Sequence, residues 1–157
     1  MTELFAWSET LNVGIQEVDE QHRALSDHLN ALAEAVGANS EMAALRPILD
    51  DLADDARTHF ALEESLMRVS NYPEFQAHKQ LHEALMGQML ALQERLDRGE
   101  GTINFELLHF LKVWLSNHID EADRRFGAYF LSIGGSSGWA PQVASSMATT
   151  RRRWKFW

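Results

Sequence analysis

The chain has 157 residues, of which 45% are hydrophobic and 24% charged, enough for one domain with a sizeable core. It has no cysteine, which excludes disulfides, thiolate zinc sites and iron–sulfur clusters and fits the cytoplasm. Net charge is −9; Arg151, Arg152, Arg153 and Lys155 put +4 on residues 134–157, so residues 1–133 stand at −13 and repel nucleic-acid phosphates.

The opening MTELFAWSETLNVG has no basic stretch followed by an apolar run, so no export leader is expected. No segment reaches the roughly 18 continuous apolar residues of a membrane span. Phe5 and Trp7 sit in a stretch too irregular for helix or strand, and are expected to form an arm over the rest.

Four helices follow. The first is predicted from about Glu17 to Val36, because Leu25, Leu29, Leu32 and Val36 recur every three or four residues and Gly37 stops it. The second is predicted to start near Arg46, with Pro47 in the first turn where its missing N–H costs least, and to end near Ser70. The third has Pro73 in its first turn and ends before Gly99 and Gly101. The fourth is capped by Thr102 or Asn104 and runs to about Ile133. Short connections make neighbours antiparallel, so the fold class is all-α: an up-down-up-down antiparallel four-helix bundle with an N-terminal arm and a C-terminal tail. The domain boundary falls between 1–133 and a basic, aromatic tail at 134–157, which reads as flexible. Its terminal RRRWKFW could dock on an anionic membrane surface or a partner protein, or serve no specific use.

The histidines carry the chemistry. His59 and Glu63 are four residues apart on the second helix, and His78 and His82 on the third, so each pair projects from one face. The first helix supplies His22. The fourth supplies His118 and, five residues on, Asp123. Each helix thus brings a candidate near its middle, where an antiparallel bundle lets them meet. Taken singly, each has an ordinary reading as a surface or hydrogen-bonded residue. A buried group of five histidines without metal would strand polar nitrogens at about 1–3 kcal/mol each. His28 and His109 face elsewhere by the same helical count. Glu64 follows Glu63 but turns about 100° away, so it is no clear acid or base for catalysis at such a site. Five residues in a regular helix separate His118 from Asp123 by about 140°, so either Asp123 reaches in from the edge or a π-type bulge lies between them. Asp120 is the alternative, about 160° the other way.

Together, Trp7, Val18-Asp19-x-Gln21-His22, His59-Phe60-x-x-Glu63-Glu64, Tyr72-Pro73, His78-x-x-x-His82 and Trp114-Leu115-x-x-His118-Ile119-x-x-x-Asp123 resemble a hemerythrin of the bacterial single-domain kind. The resemblance covers residues 5 to 131 and favours Asp123 over Asp120. It implies two iron ions (Fe2+/Fe3+) bridged by Glu63, Asp123 and an oxo or hydroxo group. One iron would take His78, His82 and His118, and the other His22 and His59. With one bond per histidine and two per bridge, a single position on two six-coordinate irons stays open. The function implied is reversible O2 binding for storage, transport or delivery to an oxygen-consuming enzyme, without catalysis. Leu25, Trp114, Leu115 and Ile119 are the candidates to line a dry oxygen pocket. The alternatives are an oxygen or redox sensor acting through a partner, and a di-iron oxidase or peroxidase.

Overall fold

The computed structural model describes residues 4–134. The predicted tail, with its RRRWKFW, falls almost wholly outside them. A 3-10 turn at Glu9–Leu11 precedes helices α1 (Gln16–Gly37), α2 (Met42–Val69), α3 (Phe75–Asp97) and α4 (Phe105–Asn117). A π-helical segment, His118–Asp123, joins α4 to α5 (Arg124–Ser132). Both junction residues keep right-handed helical angles, so α4, the π segment and α5 form one rod. The result is the four-helix bundle, with no strand among the described residues. No described helix is long and apolar enough to cross a membrane.

The buried residues of each helix follow its period. In α1 they include Val18, His22, Leu25, Leu29 and Leu32; in α2, Leu49, Leu52, Ala56, His59, Glu63 and Leu66. In α3 they are His78, His82, Leu85, Met89 and Leu96. The polar candidates therefore occupy the same core-facing stripe as the leucines, because three- and four-residue steps return to one helix face.

Two helix starts differ from expectation. Helix α2 begins at Met42, so Pro47 lies inside it. The first turn closes before the proline, where the Glu41 carbonyl accepts from Ala44 and Leu45. Burial of Leu45 and Leu49 offsets the bond that Pro47 cannot make. Helix α3 begins at Phe75, two residues past Pro73, because the chain first turns through Asn71 at φ 53°. Of the two candidate caps for the last helix, Asn104 acts, accepting from Leu107 N–H at 3.0 Å.

The arm is pinned at both ends. Phe5 is buried, and its backbone exchanges hydrogen bonds of 2.7 and 2.8 Å with the Asn30 amide. The Asp19 carboxylate accepts from Val13 N–H at 2.7 Å and Gly14 N–H at 3.3 Å, while Arg124 donates to the carbonyls of Thr10 and Asn12. Helix α5 accepts this backbone because residue 127 is glycine: a Cβ there would stand 2.4 Å from the Val13 oxygen. Gly127→Ala is expected to cost about 1–3 kcal/mol in denaturant unfolding, since backbone must move. Gly87→Ala, whose Cβ would meet nothing within 4 Å, is the control and should gain about 0.5–1 kcal/mol.

Candidate metal centre

Seven side chains from the four helices meet at one buried place. His22, His59, Glu63, His78, His82, His118 and Asp123 are each at most 6% exposed. Their donor atoms form two overlapping groups, each with its atoms within 4.8 Å of one another. One comprises Glu63, His78, His82, His118 and Asp123, the other His22, His59, Glu63 and Asp123.

The carboxylates belong to both groups and point one oxygen toward each. Glu63 Oε1 lies 2.8 Å from His78 Nε2 and 3.5 Å from His82 Nε2, while Oε2 lies 3.1 Å from His59 Nε2. Asp123 Oδ1 lies 2.9 Å from His78 Nε2 and 3.0 Å from His118 Nε2, while Oδ2 lies 2.9 Å from His22 Nε2.

The π segment makes this possible. Its i→i+5 bonding, seen where Arg124 N–H meets the Ile119 carbonyl, brings residues five apart onto one side. Asp123 is thus 1% exposed beside His118, whereas Asp120 is exposed and paired with Arg124 at 3.0 Å. The other two histidines lie apart. His28 pairs with Asp55 at 2.6 Å, and His109 is exposed.

Charge and hydrogen bonding among these groups are lopsided. Burial pushes the Glu63 carboxyl up, but the close approach of the His59, His78 and His82 imidazoles brings it well below the usual range. Burial and the Glu63 charge push Asp123 up, and His118 and His22 bring it below its ordinary value. Burial lowers His59, helped by the neighbouring His22. Burial also opposes the charge on His78, yet Asp123 and Glu63 raise it to about 9.

These residues fit a pair of metal ions. Nε2 of His22, His59 and His78, and both oxygens of Glu63 and Asp123, are buried without a well-aligned hydrogen bond. Nε2 of His82 faces Nε2 of His118 at 3.1 Å. Donor atoms so crowded together away from water are costly unless positive charge, protons or metal ions, sits between them. The nitrogen and oxygen donors, without sulfur, suit iron among other first-row metals. Since His78 keeps a proton up to about pH 9, an entering cation must displace it. Apparent affinity for a divalent cation should rise about tenfold per pH unit from pH 7 toward 9 through this proton alone, then level off.

The outer nitrogens also find partners. His59 Nδ1–H donates to Gln21 Oε1 at 2.7 Å and His82 Nδ1–H to Glu64 Oε2 at 3.0 Å. Phe60 stacks on His82 at 3.9 Å, and Trp114 on His118 at 4.6 Å. Next to the cluster is a cavity of about 30 Å3 lined by Leu25, Leu29, Leu52, Ala56, Phe60, Leu85, Met89, Leu111, Trp114 and Leu115. Leu25, Ala56, Leu85 and Leu115 stand one helical turn from His22, His59, His82 and His118 respectively, so the cavity is the next layer of the bundle. Leu25, Trp114 and Leu115 are among its lining residues. Ile119 is fully buried but is not among the lining residues. Phe60 is a lining residue that the helical count does not pick out. It follows a candidate ligand in sequence, and neighbours on a helix point about 100° apart, which hid its contact with both cavity and cluster.

The Hemerythrin HHE cation binding domain model matches residues 13–130. A bacteriohemerythrin of Stenotrophomonas maltophilia is 37% identical over 123 residues, 78% of this chain and 79% of that protein. One of Methylococcus capsulatus is 36% identical over 118 residues, 74% and 86% of the two chains. A solved wild-type hemerythrin superposes with a TM-score of 0.76 at 31% identity, covering 80% of this chain and 96% of the other. With the buried His/Glu/Asp cluster in place, these matches show that the chain belongs to the hemerythrin family.

Proposed function

We propose that residues 1–133 bind molecular oxygen reversibly at two irons, and that the protein stores oxygen or delivers it to an oxygen-consuming enzyme rather than transforming a substrate. The observation that carries this reading is the pair of carboxylates, each offering one oxygen to each histidine group. In this reading His78, His82 and His118 would hold one iron and His22 and His59 the other, with Glu63 and Asp123 available to both.

The irons, when bound, supply the electrons that oxygen needs in order to be held. The chain supplies the surroundings. Five neutral imidazoles and only two carboxylates leave the centre less anionic than the four-carboxylate sites of ferritin-like proteins, and so less prone to drive oxidation further. The cavity is wide enough for about two water-sized spheres and is lined entirely by apolar side chains. It offers a small apolar molecule a place and gives water little to bond. No acid or base lines it, which favours holding oxygen over turning it over.

The test is optical. Metal-free protein reloaded anaerobically with ferrous iron should take two irons per chain and develop a charge-transfer band with oxygen that vanishes when oxygen is removed. Binding of one iron only, or immediate irreversible oxidation, would count against the reading.

A further inference from the structure

We propose that the two metal positions are unequal. The position facing His78, His82 and His118 fills first and holds its ion more tightly, while the position facing His22 and His59 takes a second, exchangeable ion. This rests on the reading above that the cluster takes two ions.

Three observations point the same way. The first is donor number. Glu63 and Asp123 serve both positions, so what differs is three imidazoles against two. The second is how the imidazoles are backed. His82 Nδ1–H donates to a carboxylate, Glu64, whose side chain is only 13% exposed. A carboxylate behind an imidazole fixes its tautomer, aims Nε2 inward and makes that nitrogen a stronger donor. His59 has the neutral amide of Gln21 instead. His22 is fully buried, and among the described residues no hydrogen-bond acceptor reaches its Nδ1. The third is packing. His82 lies flat against Phe60, with 9° between the rings, and His118 against Trp114, with 10°. His78 meets His82 and His118 edge to face, just as His22 meets His59, so what the three-histidine side adds is two aromatic faces under its imidazoles. Two of the three imidazoles on that side are thus held flat against aromatic rings, so ordering them costs less on binding.

Charge widens the difference. Glu63 and Asp123 are shared, so the first dication neutralises the anionic groups that would attract the second. The second ion therefore meets a site with fewer donors, weaker backing and a like charge close by.

Glu64 is accordingly a positioning residue for the first position, and Gln21 for the second. Neither touches a metal in this arrangement. Each acts through the histidine it holds.

The experiment is an anaerobic titration of the metal-free full-length protein with cobalt(II), followed by d–d absorption and by competition with a chelator. Two steps are expected, separated by about tenfold or more, with mild chelator leaving one ion per chain. Glu64→Ala should weaken the first step about 10–100-fold and leave the second much less affected. Glu64→Gln, which keeps an acceptor but loses the charge, should recover part of that loss. His22→Ala should remove the second step and spare the first, with His22→Gln as a milder variant if the alanine protein does not fold. Thermal unfolding of each metal-free variant provides the structural control. Two ions bound in a single step would overturn the inequality and leave the di-iron reading standing. One ion per chain in the unaltered protein would instead overturn the di-iron reading. Equal weakening of both steps by Glu64→Ala, with a lowered unfolding temperature, would reduce Glu64 to a structural role and overturn its assignment.

Discussion

Replacing Glu63 by alanine is expected to leave a protein that holds at most one iron per chain and no longer binds oxygen. Glu63 is fully buried, and its two oxygens face His78 at 2.8 Å on one side and His59 at 3.1 Å on the other. Removing it takes a donor from each position and half of the fixed negative charge available to two dications. Breaking a buried charge pair by deleting one partner costs about 3–5 kcal/mol. That corresponds to about 10²–10⁴-fold in affinity, and it falls hardest on the position with fewer donors. Iron analysis after anaerobic loading measures the stoichiometry, and the oxygen-dependent band measures function. Circular dichroism of the metal-free variant shows whether the bundle has formed. A folded Glu63→Ala protein that still takes two irons and binds oxygen normally would mean the ligand assignment is wrong.

Phe60→Ala is expected to have the largest combined effect on stability and on the lifetime of the oxygenated protein. The ring is 4% exposed, stacks on His82, meets Trp114 edge to face at 6.2 Å and lines the cavity. Truncating a buried phenylalanine costs about 3–5 kcal/mol, because the lost contacts leave a void that the surroundings only partly fill. In a chain of this size the melting temperature should fall by roughly 10–15 °C. The enlarged cavity would also admit water beside His82 and Glu64, and exclusion of water is what protects a bound oxygen from loss and oxidation. Calorimetry gives the first effect, and the decay of the oxygen-dependent band in air the second. Phe60→Leu, which keeps most of the apolar volume, should restore most of the stability. A Phe60→Ala protein whose oxygenated form persists as long as the original would separate the cavity from oxygen protection.

The sequence by itself determined the parts that local periodicity controls. The four-residue steps His59–Glu63 and His78–His82 must share a face in any α-helix, and the leucines at matching steps assign that face to the core. Short loops between long amphipathic helices leave an antiparallel bundle as the economical way to bury those faces. Tertiary structure decided what depends on residues far apart in the chain. The five-residue step from His118 to Asp123 was compatible with two geometries, and the π segment settles it by local backbone rearrangement within a packed rod. Helix α2 runs through Pro47 because burial of Leu45 and Leu49 against other helices outweighs a local penalty. The Gln21–His59 and Glu64–His82 bonds join helices across 38 and 18 residues of chain. No helical wheel shows such a pairing, because it reports where a side chain points on its own helix and not which neighbour stands opposite.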